Sequence, residues 1–395
     1  MKDGKKIDEL LTRGVGKIYP SKEKLEEVLR SGKKLRLYQG FDPTGTQLHI
    51  GHMVGFRKHR QWQDLGHEVI FLIGDGTGQA GDPTGKKKTR EKFFTSEELR
   101  ANAKDYLAQA SKVVRFDGEN PIKIMYNGDW LNKLNLTDIL NITQYFSVQQ
   151  LIERDMFQER IKNNEDINLR EFLYPLLQGY DSVAMDVDLE LGGSDQTFNM
   201  LTGRTLMRKM KGKEKFVMTT PLLSDSKGVK IGKSEGNVIG LTDPAPELFG
   251  KIMALGDEAI IPMFTLLTDV PIEEIEKFDL KKEAMSLKKR VASIVITQLH
   301  NEAKAKEAEQ NFINTFSKKE IPDEIPEIKA GIGEMLSEVL VKNKVLASKS
   351  EWRRLVEENA IHDLLKDANI TDANLKISEN LTLKIGKKKF IKILV

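Results

Sequence analysis

The sequence has no cysteine. That excludes disulfides, a thiolate zinc site and a thiol nucleophile. Long apolar runs are also missing. No window approaches the roughly 20 consecutive apolar residues of a membrane span, and the opening MKDGKKIDELLTRG lacks the apolar stretch of a secretory signal. The expected compartment is therefore the cytoplasm, with no membrane partner. An excess of one charge is missing too: 62 Lys and Arg against 59 Asp and Glu leave a net charge of +3, so bulk charge does not mark a nucleic-acid binder. There is no internal repeat and no low-complexity tract.

What is present is a soluble, globular composition, 39% hydrophobic and 31% charged over 395 residues, long enough for two or three domains. Positive charge is clustered in KKKTREK (86–92), RKMKGKEK (208–215) and KIGKKKFIK (384–392). Any one of these, taken alone, suits a solvated face. Strand-like segments at 34–41, 68–74 and 122–126 alternate with helical ones at 50–65 and 96–113. That alternation predicts an α/β domain with a parallel sheet. Residues 135–185 read mostly as helices, 186–196 as a short strand and Gly-Gly turn, and 215–224 as a strand. The stretch from 246 to 316 is almost wholly helical. The Pro-containing, acidic stretch 317–333 reads as a linker, and a small α/β module closes the chain.

Two segments carry chemistry. His49-Ile50-Gly51-His52 lies just ahead of a predicted helix. A helix N-terminus offers unpaired N–H groups and a positive dipole end, which suits a polyphosphate. Gly51 allows close approach, and the imidazoles supply donors. Lys230-Ile231-Gly232-Lys233-Ser234 sits in a polar, glycine-rich loop whose lysines reach phosphates as point charges. A third segment is a decoy. Residues 76–81 spell G-x-G-x-x-G, but Asp82-Pro83 interrupts the helix which a dinucleotide fingerprint requires. It reads instead as a ligand-binding loop at a strand's carboxyl end.

Together, the His-Ile-Gly-His turn and the Lys-x-x-Lys-Ser loop resemble the paired signatures of class I aminoacyl-tRNA synthetases. The finer resemblance is to the tyrosyl-tRNA synthetase family, bacterial type, through YQGFDPTGTQLHIGH (38–52), GDPTGKKKTR (81–90), FLYPLLQGYD (172–181), GGSDQ (192–196) and KIGKSEGNVI (230–239), in the family's order. It implies a Rossmann-like catalytic domain at 1–245 with a helical insertion at about 130–185, a helical anticodon-arm domain at 246–316, the linker at 317–333 and an S4-like RNA-binding domain at 334–395. It implies ATP as co-substrate with Mg²⁺, L-tyrosine and tRNA(Tyr) as partners, and a homodimer joined through the insertion near 130–180. No dedicated carboxylate cage for a metal stands out in the sequence.

The same resemblance assigns roles. Thr44 and His49 hold the outgoing phosphates and His52 the ribose side of ATP, with Gln39, Gly40, Gly51 and Asp195 also on the nucleotide. Lys86, Arg90, Lys230 and Lys233, with Ser234 beside them, close over the pyrophosphate. Tyr38 and Asp181 face the tyrosine phenol. Tyr174, Gln178 and Asp82 take its ammonium, with Gln196 nearby. The spacing of Tyr174, Gln178 and Asp181 (i, i+4, i+7) puts them on one helix face, where an unpaired carboxylate is costly; that favours a binding role over plain packing. A pocket that hydrogen-bonds a hydroxyl rejects the analogue without it, tyrosyl enzymes being a standard example, so no editing domain is expected. In the tail, LASKSEWRRLVEENAIH (346–362) and LKIGKKKFIKILV (383–395) resemble an S4 domain. There Ser348 caps a helix, and Lys349, Arg353, Arg354, Lys387, Lys388 and Lys389 face RNA. Two other readings stay open at this point: a tryptophan-specific relative, and a catalytically silent RNA-binding protein on the same scaffold.

Overall fold

A computed structural model of the chain describes residues 2–86, 88, 93–224, 238–316, 326–358, 360–364, 368–386 and 389–395. These form two compact units, Met1–Phe312 and Ile313–Val395.

The first unit is built on six strands: β1 (Ile18–Tyr19), β2 (Arg36–Phe41), β3 (Glu68–Ile73), β4 (Lys123–Tyr126), β5 (Leu189–Gly193) and β6 (Phe216–Thr220). Their order across the sheet is β1-β6-β5-β2-β3-β4, parallel except for β1. The run Val69-Ile70-Phe71-Leu72-Ile73 is buried throughout, as a strand covered on both faces must be. From β2 the chain steps outward through β3 to β4, then returns to the opposite side of β2 as β5. The strand order thus reverses between β2 and β5, where open parallel sheets leave a crevice at their carboxyl ends. Register places Tyr38 beside Ile70 of β3 and Glu190 of β5.

Three helices flank that crevice. Helix Ile50–Asp64 buries Met53, Phe56, His59 and Trp62, and Phe56 packs on Phe41, which stacks on Phe71 at 4.5 Å. Helix Leu169–Met185 crosses helix Thr197–Leu206 closely because both carry glycine at the contact: a Cβ on Gly179 would sit 3.0 Å from the Gly203 amide. The helices from Ala245 to Leu299 share the same buried cluster as the sheet, through Leu248, Phe249, Phe264, Val291 and Val295. They therefore pack within the first unit, although the sequence set them apart as a domain. Arg13 fastens the N-terminal helix there by donating to the carbonyls of Phe264, Thr265, Thr268 and Val270, at and just beyond the C-terminal end of helix Ile260–Leu267, where carbonyls lack intrahelical partners.

The second unit has helices Leu336–Lys342 and Lys349–Glu357 and strands β7 (Glu327–Lys329), β8 (Ile361–Asp363), β9 (Ala368–Asn369), β10 (Leu381–Ile385) and β11 (Lys389–Leu394). Their order is β7-β11-β10-β8-β9. Ser348 caps the second helix by accepting from the Glu351 amide at 3.1 Å, and Trp352 is buried. Residues 327–329, read from sequence as linker, form a strand: Ile328 is buried between exposed Glu327 and Lys329. Three residues are too few for a period-2 pattern to announce itself. Among the described residues, no helix is long and apolar enough to cross a membrane.

Candidate active site

A cavity of about 330 Å³ opens at the carboxyl ends of β2 and β5. It is lined by Tyr38, Gln39, Gly40, Thr44, His49, Gly51, His52, Asp82, Lys86, Tyr174, Gln178, Asp181, Asp195 and Gln196, all singled out from the sequence. Arg90, Lys230, Lys233, Ser234, Lys387 and Lys388 lie outside the described residues.

The inner end is buried and polar. Asp181 is 1% exposed. Its carboxylate accepts from Asn127 Nδ2 at 3.0 Å and from the Trp130 indole N–H at 2.8 Å. This carboxylate is therefore not unpaired in the absence of a ligand, contrary to the expectation from its place on the helix face. Two donors from the turn and short helix after β4 satisfy it, and lone pairs remain for a ligand. Burial pushes its acid well above the usual carboxyl range, while those two donors pull the other way. Tyr38 is fully buried and its hydroxyl lies 2.9 Å from Ser182 Oγ. Burial, then the negative charge of Glu190 and Asp181, pushes this phenol well above its ordinary value, so it stays protonated.

Further out, the acceptors converge. Gln178 donates from Nε2 to Glu190 at 2.9 Å, which leaves its amide oxygen as its acceptor end. The Tyr174 hydroxyl donates to Asp42 at 2.9 Å, and Thr77 donates to the same carboxylate at 2.7 Å. Gln196 donates to Asp82 at 2.9 Å, and Asp82 also accepts from the Thr84 amide. Two carboxylates and an amide oxygen around one space suit a cation. Gly74 is required here, since a Cβ would fall 1.9 Å from Asp42 Oδ1.

The outer end is a helix N-terminus. His49 caps helix Ile50–Asp64, its Nδ1 accepting from the Gly51 amide, and His52 Nδ1 accepts from the His49 amide, both at 3.2 Å. An accepting Nδ1 puts the proton of a neutral imidazole on Nε2, so each ring keeps a donor directed away from its own backbone. The rings lie 4.0 Å apart. Backbone bonds from Ile50 to Ile239 and from Leu241 to Leu48, both 3.0 Å, seat the residues that follow the KIGKS segment against this turn. Leu222 and Leu223, just before that segment, line the cavity.

Six residues at the site escaped sequence reading. Asp42 stood inside a quoted motif, and Asn127 ends a strand at the carboxyl edge, where ligands gather. Glu190 carried a usable signal, a lone charge inside Leu189-Glu190-Leu191. Ser182 and Trp130 carried none, and Lys215 was lost in a basic cluster.

A mostly parallel sheet with its crevice at the strand reversal, a His-Ile-Gly-His helix start and a Lys-x-x-Lys-Ser sequence that follows cavity residues Leu222 and Leu223 in the chain define a class I aminoacyl-tRNA synthetase. The family model for tRNA synthetases class I (W and Y) matches residues 30–317. Tyrosine–tRNA ligases of Carboxydothermus hydrogenoformans and Haemophilus ducreyi are each 41% identical to this chain, over 98% of it and 97% of their own lengths. That of Thermotoga maritima is 38% identical, over 97% and 96%. Within that class, the chain belongs to the tyrosyl-tRNA synthetase family. Among solved structures, a truncated mitochondrial tyrosyl-tRNA synthetase of Aspergillus nidulans matches with a TM-score of 0.66 at 23% identity, covering 80% of this chain and 96% of that one. The Archaeoglobus fulgidus enzyme complexed with L-tyrosine matches with a TM-score of 0.61 at 21%, covering 78% and 100%. At those identities the structural likeness speaks for the fold.

Proposed function

We propose that this cavity activates L-tyrosine with ATP and passes it to tRNA(Tyr), with the phenol at the inner end and the phosphates at the outer one. The observation that carries this reading is the sequence of groups along the cavity: a hydroxyl and a carboxylate inside, a set of acceptors midway, and a helix N-terminus outside. Tyr38 and Asp181 meet the phenol. Asp82, Tyr174 and Gln178 take the ammonium, with Asp42 and Gln196 holding that set in place. The substrate carboxylate then faces the α-phosphate of ATP and attacks it, and pyrophosphate leaves. In the second step a ribose hydroxyl at the tRNA 3′ end attacks the carbonyl carbon of the adenylate and AMP leaves. No protein nucleophile is needed, and catalysis rests on positioning and on stabilising charge that develops on phosphate. Thr44, His49 and His52 serve the phosphates and ribose, Gln39, Gly40, Gly51 and Asp195 the nucleoside side, and Lys86, Arg90, Lys230, Lys233 and Ser234 the departing pyrophosphate. Mg²⁺ enters as part of the nucleotide substrate.

The rest of the chain serves tRNA and assembly. Residues 1–245 are the catalytic domain and 246–316 the anticodon-arm domain. After the linker, 334–395 bind RNA through Lys349, Arg353, Arg354 and Lys387–Lys389. Lys349, Arg353, Arg354 and Lys389 are exposed. A homodimer forms through the helical insertion: Leu136, Leu140, Val148 and Leu169 are each more than half exposed there, an apolar concentration that a partner would cover. The chain works in the cytoplasm. ATP–pyrophosphate exchange over an amino-acid panel tests the central reading; exchange driven by tryptophan, or none with tyrosine, would overturn it.

A further inference from the structure

Beside the inner end lies a charged pair to which the proposed reaction gives no role, although its Glu190 lines the cavity. Lys215, just ahead of β6, is fully buried, Glu190 is 1% exposed and Ser182 is fully buried. Lys215 Nζ donates to Glu190 Oε2 and, at 2.8 Å, to Ser182 Oγ. Space for this cluster comes from Gly203, where a Cβ would sit 2.5 Å from Lys215 Nζ and 2.9 Å from Ser182 Oγ. Stability alone is a poor reason for such a pair, because desolvating two charges roughly cancels their attraction.

The connections run toward the cavity. Glu190 is the register neighbour of Tyr38 and accepts from Gln178. Ser182 joins Lys215 to the Tyr38 hydroxyl. An ammonium only donates, so Ser182 Oγ must accept from it, and the single serine proton has two possible acceptors. Tyr38 Oη is at 2.9 Å and Glu190 Oε2 at 3.5 Å. The shorter contact sends the proton to Tyr38. Tyr38 then accepts from Ser182, and its own O–H is left to choose between a ligand in the cavity, the Gln178 carbonyl at 3.4 Å and the Glu190 carboxylate.

We propose that the Lys215–Glu190 pair is a positioning element for amino-acid selection, which acts through Ser182 to hold Tyr38 as a hydrogen-bond donor into the cavity. A bound hydroxyl would then accept from Tyr38 and donate to Asp181, and both partners would be left unmatched by a ring without the hydroxyl. This rests on the reading that the inner end holds the tyrosine phenol.

The test uses the full chain and pyrophosphate exchange with L-tyrosine and L-phenylalanine. The double variant Lys215→Met/Glu190→Gln removes both charges together and keeps an amide oxygen at position 190 to accept from Gln178, so the ammonium end shared by both amino acids stays in place. Its tyrosine kcat/KM should fall about 10- to 100-fold, the range of one lost buried hydrogen bond, with phenylalanine kcat/KM and the ATP KM little changed. Ser182→Ala should lower the tyrosine-to-phenylalanine ratio in the same direction. Combined with the double variant, it should add almost nothing, since one relay is already broken. A loss shared equally by both amino acids, or a Ser182→Ala ratio equal to the parent's, would overturn the proposal. Should the double variant not fold, the Ser182→Ala ratio decides by itself. A parent chain that activates no tyrosine refutes the functional reading instead, a result visible before any variant is made.

Discussion

The two ends of the cavity are built differently. At the inner end the polar groups have protein partners already: Asp181 with Asn127 and Trp130, and Tyr38 with Ser182, while next to them Gln178 is held by Glu190. At the outer end the histidine rings bond to their own backbone turn, and most of the proposed cationic residues lie outside the described residues. Rigid, pre-paired groups discriminate between ground-state ligands because a mismatch strands a buried donor or acceptor. Cationic groups proposed to meet a departing pyrophosphate act in the transition state, where binding energy raises turnover. Variants at the inner end should therefore alter tyrosine affinity and selectivity, and variants at the outer end should alter turnover.

The largest effect is expected at the outer end. Lys233→Ala should lower kcat for adenylate formation about 10²- to 10³-fold, as for removal of one group that stabilises developing charge, with the tyrosine KM within about twofold of the parent. Single-turnover kinetics with pyrophosphate release as signal would measure both. A tyrosine KM that rises as far as kcat falls would break the division between the ends.

A smaller effect isolates the inner end. Trp130→Phe deletes the indole N–H that donates to Asp181 and keeps most of the ring volume. One bond to a carboxylate is worth about 1.5 kcal/mol, so the tyrosine KM should rise about 10-fold while the ATP KM stays put. Equal shifts in both would mean that the two ends communicate.

The ends also differed in how far they could be read from sequence. The outer end is local: His49, Gly51 and His52 occupy one turn, and a helix start follows from that turn's own chemistry. The inner end is assembled by sheet register. Glu190 meets Tyr38 only because β5 pairs with β2, and Asn127 and Trp130 reach Asp181 only because β4 ends on the same edge. Nothing within a few residues of Glu190 or Trp130 encodes that. The fold divides similarly. Strand–helix alternation was legible in β2, β3 and β4, whereas the return of the chain across β2 to form β5 was not. Strand β7 was missed because its partner, β11, lies some sixty residues away.

One helix carries the contrast within itself. His49 and His52 sit at the first turn of helix Ile50–Asp64 with their rings hydrogen-bonded, whereas His59, two turns on, is fully buried and neither ring nitrogen has a partner. Burial lowers the His59 pKa to about 3. The unfolded chain takes up a proton near pH 6.5 that the folded chain refuses. The unfolded state thus binds more protons between those values, and stability falls as pH drops through that window, by about 1.4 kcal/mol per pH unit for this group. His67, lowered to about 4 chiefly by burial, adds to the same limb. His59→Leu forfeits no hydrogen bond and removes one titrating site. Its stability should decline less steeply than the parent's between pH 6.5 and 5, measured by urea unfolding at constant ionic strength, with the tyrosine and ATP KM values at pH 7.5 unchanged. Parallel declines in parent and variant would place the acid sensitivity elsewhere. A changed ATP KM would show that the buried body of this helix and its phosphate-facing turn are not independent.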